Sequence, residues 1–401
     1  MTCTGRRPWL RDEHECKHHP IPLQRGASNV YFSVLASSIS IPPWSKSSPL
    51  LQKLEGKLET FRELPQEMWK MTIEGMQLPE KLGVSSDEIF AALRLGLKGD
   101  DDDELKIKIG SEKELRYREA QALSTEHGEE SPYAEFRTKE AKIHPELRPY
   151  VDRVMLVERL REVRALRGFT RISPPDPSNI LKVEIAPISK YRSPKWLPAV
   201  EVNGEGIYIE LNEKRTSEWG SVSGIIKRAE KVQQMYVEMC ERREWKIERI
   251  ISPRLLLVHS LAHVLIQQLA LESGYASASL RERLYVFEES EIEKGSRSSA
   301  GLLLYTSTID SEGSLGGLVR QGFPERLLET ISGGIAEASW CASDPLCMEN
   351  EGNVAGMMNL AACHACLLIS ETSCEEYNRF LDRGMLVGTM TDPDIGYFSG
   401  F

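Results

Sequence analysis

The sequence has no uncharged apolar run of the roughly 18 to 20 residues that a membrane span needs, and no membrane is expected among its partners. Its opening residues, Met1-Thr2-Cys3-Thr4-Gly5-Arg6-Arg7, carry no apolar segment of secretory type, from which a cytoplasmic protein is expected. No lysine stands in a phosphate-loop context and no helicase motif set is present, so nucleotide hydrolysis is not expected of this chain and it reads as a non-enzyme. Positive charge is in short supply as well. Fifty basic against sixty acidic residues leave a net charge of −10, so the molecule as a whole repels nucleic acid at long range. Any contact with DNA must then be local, or shared with a partner. Internal repeats and extended low-complexity tracts are also missing.

What is there is a chain of 401 residues with 41% hydrophobic content, long enough for two or three domains with real cores. The fold class expected is α+β and multi-domain, with a helical middle section and a mixed α/β C-terminal domain closed by a cysteine zinc site. Residues 1–45 read as loops and short strands, a shortened zinc-ribbon-like segment in which Pro42 and Pro43 break any long element. The region 46–172 is expected to be mainly helical. Leu50, Leu54, Leu58 and Phe61 recur at helical spacing, and Ser85-Ser86-Asp87-Glu88 has the form of a capping box. The run Asp100-Asp101-Asp102-Asp103-Glu104 reads as an exposed loop, since it lacks the glycine and ligand spacing of a calcium loop.

A helix is expected over roughly 150–167, ended by Gly168. It carries Arg153, Arg159, Arg161, Arg164, Arg167 and, just beyond it, Arg171, diluted by Asp152, Glu158 and Glu162. Arg159, Arg161, Arg164 and Arg167 are candidate phosphate contacts; the alternative is a solvated helix face laced with ion pairs. Pro174, Pro175 and Pro177 mark a connector, and 173–250 is expected to hold a β-hairpin turned at Asn203-Gly204 and a charged helix over 222–248. In 251–401, Pro253 opens a helix with Leu257, Leu261, Val264, Leu265 and Leu269 on one side, and Gly301–Tyr305 reads as a buried strand.

The cysteines carry the strongest chemical signal. Five of the eight, Cys341, Cys347, Cys363, Cys366 and Cys374, sit in one C-terminal stretch, which in a reducing compartment points to metal rather than disulfides. The two-residue gap in Cys363-His364-Ala365-Cys366 lets both thiolates of one turn face a tetrahedral ion, and structural Zn2+ takes four such ligands with no open position. The favoured set is Cys363, Cys366 and Cys374 with either Cys341 or Cys347. Buried free thiols, a redox switch or a catalytic metal are the alternatives.

Other constellations are weaker. His259 and His263 lie one helical turn apart, but Ser260 stands where a zinc-protease helix needs glutamate, so packed core histidines are the plainer reading. A metal-dependent nuclease using His259, His263, Asp310 and Glu312 is the alternative function. The turn Asp310–Gly317 follows a strand as phosphate loops do, yet Asp310 and Glu312 would repel phosphate, which favours a structural turn. Cys3 and Cys16 make only half of a zinc ribbon; a second zinc site there, with His14, His18 or His19 filling the gap, is the less favoured reading.

Several stretches resemble the DrmB family, the helicase-associated subunit of the DISARM defence system. They are Cys-Thr-Gly-Arg-Arg-Pro-Trp-Leu at 3–10, Leu-Gln-Arg-Gly-Ala-Ser-Asn-Val-Tyr-Phe at 23–32 and Ser-Ile-Ser-Ile-Pro-Pro-Trp at 38–44. Leu-Arg-Glu-Val-Arg-Ala-Leu-Arg-Gly-Phe-Thr-Arg at 160–171 and Ser-Leu-Arg-Glu-Arg-Leu-Tyr at 279–285 extend the likeness along nearly the whole chain. From about 250 onward the chain also resembles a terminal domain of MrfA-type DNA-repair helicases, matching at His259, His263, Gly316, Gly317, Cys363, Cys366 and Cys374. The resemblance implies zinc as cofactor and a role in anti-phage defence. As partners it implies a DrmA-like helicase subunit and DNA, engaged through the complex at ends with single-stranded overhangs, alongside a methyltransferase. The gap between Cys347 and Cys363 is longer than in the helicases, and the cysteine pair that usually precedes the equivalent of Cys3 is missing.

Overall fold

A computed structural model describes residues 3–7, 12–13, 19, 22, 31–41, 49–97, 112–128, 136–170, 185–188, 196–242, 246–247, 249–288, 299–306, 316–350, 352 and 358–401. The acidic run at 100–104, the prolines at 174–177, and Cys16, His14 and His18 lie outside the described residues. The strands are β1 (Arg6–Arg7), β2 (Asp12–Glu13), β3 (Phe32–Ile39), β4 (Arg137–Glu140), β5 (Val151–Thr170), β6 (Ala186–Pro187), β7 (Ala199–Leu211), β8 (Leu280–Phe287) and β9 (Ser299–Thr306). The helices are α1 (Pro49–Leu54), α2 (Leu58–Arg62), α3 (Trp69–Gly75), α4 (Leu78–Leu82), α5 (Ser86–Leu97), α6 (Glu112–Leu123), α7 (Glu213–Gly220), α8 (Ser223–Arg242), α9 (Pro253–Ser273), α10 (Pro324–Ala338) and α11 (Gly384–Val387). Among the described residues the main sheet has the order β3-β5-β7-β9-β8, with β4 and β6 also paired to β5.

The chain divides into two compact units. The smaller comprises Met1–Ser38, Val163–Glu201 and Tyr236–Ile250; the larger comprises Ile39–Glu162, Val202–Met235 and Ile251–Phe401. In the smaller unit β1 and β2 form an antiparallel pair, and β6 pairs with the end of β5 through Gly168 and Phe169. Gly168 does not end a helix. A Cβ there would stand 2.5 Å from the Ala186 carbonyl oxygen, so the glycine admits the neighbouring backbone.

Two of the apolar clusters among the described residues of the larger unit position its helices. In one, α1 to α5 gather Leu50, Leu54, Phe61, Trp69, Ile73, Ile89 and Leu93 around a helical core. The capping box expected there forms reciprocally. The Ser85 N–H donates to Glu88 Oε2 at 2.7 Å and the Glu88 N–H to Ser85 Oγ at 3.3 Å. In the other, α6 lays Ala120 and Leu123 on the sheet residues Met155, Val157, Tyr208, Tyr285, Leu303 and Tyr305. A buried ion pair fixes this helix: Arg283 on β8 donates from Nε and Nη2 to the Glu119 carboxylate at 2.7 and 2.8 Å. Tyr285 adds a third hydrogen bond to the same group.

Two expectations fail here, each because a local pattern was settled by a distant partner. Residues 151–170 are a strand and not a helix. Val154, Met155, Leu156 and Val157 are all buried, because this part of β5 is covered on both faces, and a continuous apolar run cannot be told from a buried helix by its period alone. Residues 199–211 likewise form one strand with no reversal at Asn203-Gly204. A Cβ on Gly204 would lie 2.1 Å from the Thr306 carbonyl oxygen, so this glycine serves close approach of β9 rather than a turn.

The core helix of the C-terminal region is α9. The Ser252 hydroxyl accepts the Leu255 N–H at 3.3 Å, Pro253 occupies the first turn, and Gly274 closes the helix at φ 69°. From Arg254 to Ile266 every side chain is buried, as expected of a helix apolar on all sides. Its length and composition would suffice to cross a membrane, but most of it lies inside the protein, between β8 and β9 and the helices α10 and α11.

Candidate metal centre

Beyond α10 the chain is held by turns rather than by long elements, and four cysteines converge there. Cys341 follows α10 directly, Cys347 ends the next turn, and Cys363 and Cys366 flank a turn closed by the Cys366 N–H donating to the Cys363 carbonyl at 3.1 Å. The Sγ atoms of Cys341 and Cys363 are 3.5 Å apart, those of Cys347 and Cys366 3.7 Å, and those of Cys363 and Cys366 3.7 Å. With Zn–S bonds of about 2.3 Å, a tetrahedron has edges of about 3.8 Å, so the thiols stand at the separations a zinc ion requires. Cys341, Cys347, Cys363 and Cys366 would hold it with no open position, and its contribution is to folding.

The surroundings suit thiolates. The Ser343 N–H donates to Cys341 Sγ at 3.4 Å and the Cys363 N–H to Cys366 Sγ at 3.3 Å. The proton shared between Cys347 and Cys366 pulls the Cys366 thiol down to about 5 against the effect of burial, with the Arg383 guanidinium adding to the pull, and pushes the Cys347 thiol up. Burial raises Cys341 as well, so of these three thiols only Cys366 is readily ionised without an ion. Asp344 braces the first pair of cysteines. Its carboxylate accepts the N–H groups of Cys341 at 2.8 Å and Met348 at 3.1 Å. The fully buried Arg383 donates to Asp344 and, at 3.0 Å, to the Ala338 carbonyl at the end of α10. One cation thereby offsets the negative charge of the thiolate cluster and ties it to the helix.

Sequence spacing led to a different ligand set. Cys374 is not in this group. Its sulfur lies 3.2 Å from His259 Nε2, in a second cluster with His263 and Glu282. Four cysteines in two pairs, 341 with 347 and 363 with 366, were a signal available in the sequence; Asp344 and Arg383 left none, because only the fold brings residue 383 to residue 344.

The remaining candidates are scattered. Arg159 is exposed on β5 and Arg161 is half-buried, donating to Ser40 Oγ at 3.2 Å, both in the larger unit. Arg164 and Arg167 are half-buried and belong to the smaller unit. On a strand Arg164 has the opposite parity to the other three, so no single stripe forms. In the turn expected at 310–317, residues 310–315, and with them Asp310 and Glu312, lie outside the described residues. The N–H groups of Gly316 and, at 2.8 Å, Leu318 donate to the buried Glu205 carboxylate, which takes the place an anion would occupy. His259 and His263 are fully buried.

A zinc-binding domain built on α9, β8, β9 and the cysteine turns is therefore the class that fold and site define. Residues 261–367 match the family model described as the MrfA Zn-binding domain, a span that includes all four gathered cysteines. The chain as a whole belongs to the DrmB family. It is 34% identical over 404 residues to the DISARM protein DrmB of Bacillus paralicheniformis, a match covering 99% of this chain and 70% of that relative.

Proposed function

We propose that this protein is a non-catalytic subunit of a DISARM-type anti-phage system, working in the cytoplasm, where it docks on a DrmA-like helicase and helps that motor engage DNA. Family membership across the whole chain is the observation that carries this reading. The chemistry of the site supports it: four thiolates leave no coordination position for a substrate water, so the ion they hold is structural. Burial of His259 and His263 also favours it over a nuclease, since neither ring reaches solvent where a phosphodiester could approach. The net charge of −10 fits DNA contact that is local and shared with the helicase, and Arg159 is the exposed candidate for it.

The test is co-expression with the neighbouring helicase, followed by size exclusion and DNA binding at several salt concentrations. Co-elution, with DNA affinity of the complex exceeding that of the helicase alone, is the expected result. A chain that stays separate from its helicase and leaves DNA loading unchanged would sink the proposal. Metal-supplemented cleavage of single- and double-stranded DNA by the purified chain, abolished by His263→Ala, would establish the nuclease in its place.

A further inference from the structure

The histidines that the four-thiol centre leaves unused form a cluster of their own. His259 and His263 stand one turn apart on α9, Glu282 lies on β8, and Cys374 follows the last of the cysteine turns. Their exposures are 0, 0, 1 and 4%. His259 Nε2 is 3.1 Å from Glu282 Oε1 and 3.2 Å from Cys374 Sγ, and His263 Nε2 is 3.5 Å from Glu282 Oε2. One donor atom from each residue fits within a span of 4.8 Å.

The hydrogen bonds on the far side of each ring decide what those inner atoms are. His259 Nδ1 faces the Phe380 carbonyl at 3.3 Å and His263 Nδ1 the Leu367 carbonyl at 2.8 Å. Carbonyl oxygens only accept, so each Nδ1 carries the hydrogen, and in the neutral ring each Nε2 presents a lone pair inward. Two nitrogen lone pairs then face a carboxylate and a sulfur in a space closed to water. His263 Nε2 and Glu282 Oε2 are buried without a hydrogen-bond partner. The Cys374 S–H can satisfy one lone pair, at His259 Nε2, but His263 Nε2 and Glu282 Oε2 face each other as two acceptors, which calls for a positive centre among them.

We propose that His259, His263, Glu282 and Cys374 bind a second divalent transition-metal ion, zinc by the chemistry of the donors, through the two Nε2 atoms, a Glu282 oxygen and the Cys374 sulfur. The contacts of 3.1 to 3.5 Å match the edges of about 3.3 to 3.6 Å that follow from Zn–N and Zn–O bonds near 2.0 to 2.1 Å and a Zn–S bond near 2.3 Å. Nitrogen and sulfur donors select against calcium and magnesium. On loading, the Cys374 thiol releases its proton to solvent, and thiolate, carboxylate and dication then sum to zero charge in the core. Outer contacts are in place: the N–H groups of Glu376 and Asn378 donate to Cys374 Sγ at 3.3 and 3.2 Å, and that of Glu375 to Glu282 Oε1 at 3.1 Å. With four protein donors and no solvent access the site is structural, pinning α9, β8 and the chain at Cys374 to one another.

The test is zinc content by mass spectrometry together with zinc-edge X-ray absorption on the purified full-length chain. About two zinc ions per chain, with a shell of mixed sulfur and nitrogen or oxygen, is the expected wild-type result. Cys374→Ala should fall to about one ion with a sulfur-only shell, and Cys363→Ala with Cys366→Ala to about one ion with a shell dominated by nitrogen and oxygen. Should either variant fail to fold, the wild-type measurement still decides, because about one ion in a sulfur-only shell overturns the proposal. A wild-type count of about two that drops to one in Cys3→Ser with Cys16→Ser would overturn it too, by placing the second ion at the N-terminus.

Discussion

The two cysteine-bearing clusters of the larger unit are built in opposite ways. The four-thiol centre sits on short turns after α10, with Cys363 and Cys366 half-exposed, and its ligands come in pairs close along the chain. The cluster around Cys374 sits on a buried helix and a buried strand, with ligand types drawn from residues 259 to 374. Among its described residues the first region has no long helix or strand whose own hydrogen bonds hold the thiols in place, so their arrangement depends on the ion, whereas α9 and the sheet carry backbone ladders and a continuous buried face of their own. The regions should therefore respond differently to metal loss and to core damage.

The largest effect expected is from Cys363→Ser or Cys366→Ser. Each should cost upwards of about 3 kcal/mol in the C-terminal turns and release zinc, measured by thermal denaturation with metal analysis; unchanged stability in both would break the comparison. Next comes Leu257→Ala in α9, a fully buried side chain, expected to cost about 2 to 5 kcal/mol through the cavity it leaves. Chemical denaturation should show that loss while the four-thiol centre keeps its zinc. Asp344→Asn weakens the contact with Arg383 and the brace on Cys341, and about 1 to 3 kcal/mol is expected, with faster transfer of zinc to a chelator as the sharper readout. Ser260→Ala removes the acceptor of the Asp382 N–H, and Ser252→Ala the cap of α9; each should lower the unfolding free energy by about 1 kcal/mol and leave metal content untouched. The smallest change is expected from Arg159→Ala, which should leave stability within about 0.5 kcal/mol and reduce the salt slope of DNA binding by the helicase complex by about one.

Legibility in the sequence followed the same division. The turn Cys363-His364-Ala365-Cys366 was readable because two residues of backbone fix how far apart the sulfurs can be. The start of α9 was readable for a similar reason, from Pro253; Ser252 and Gly274, which cap it, act just as locally but were not singled out in the sequence. The capping box before α5 also formed as read. Glu282 was not readable. It stands between Arg281 and Arg283 in what looks like a charged surface segment, yet β8 turns it inward toward α9. Cys374 was assigned to the nearest cysteines along the chain, and the fold gave it to a helix more than a hundred residues away.

The sequence by itself thus determined the contacts that close within about four residues, namely the capping box, the opening of α9 at Pro253 and the cysteine turn, together with a charge balance that disfavours long-range attraction to DNA; that α9 is buried on every side was decided by the fold. Only the tertiary structure decided that 151–170 is a strand, that Gly204 meets β9 instead of turning the chain, and that five cysteines divide four to one. Short-range outcomes follow from covalent geometry, which the sequence states outright. Strand pairing and burial of charge are settled by partners distant in the chain, and no local pattern names those partners.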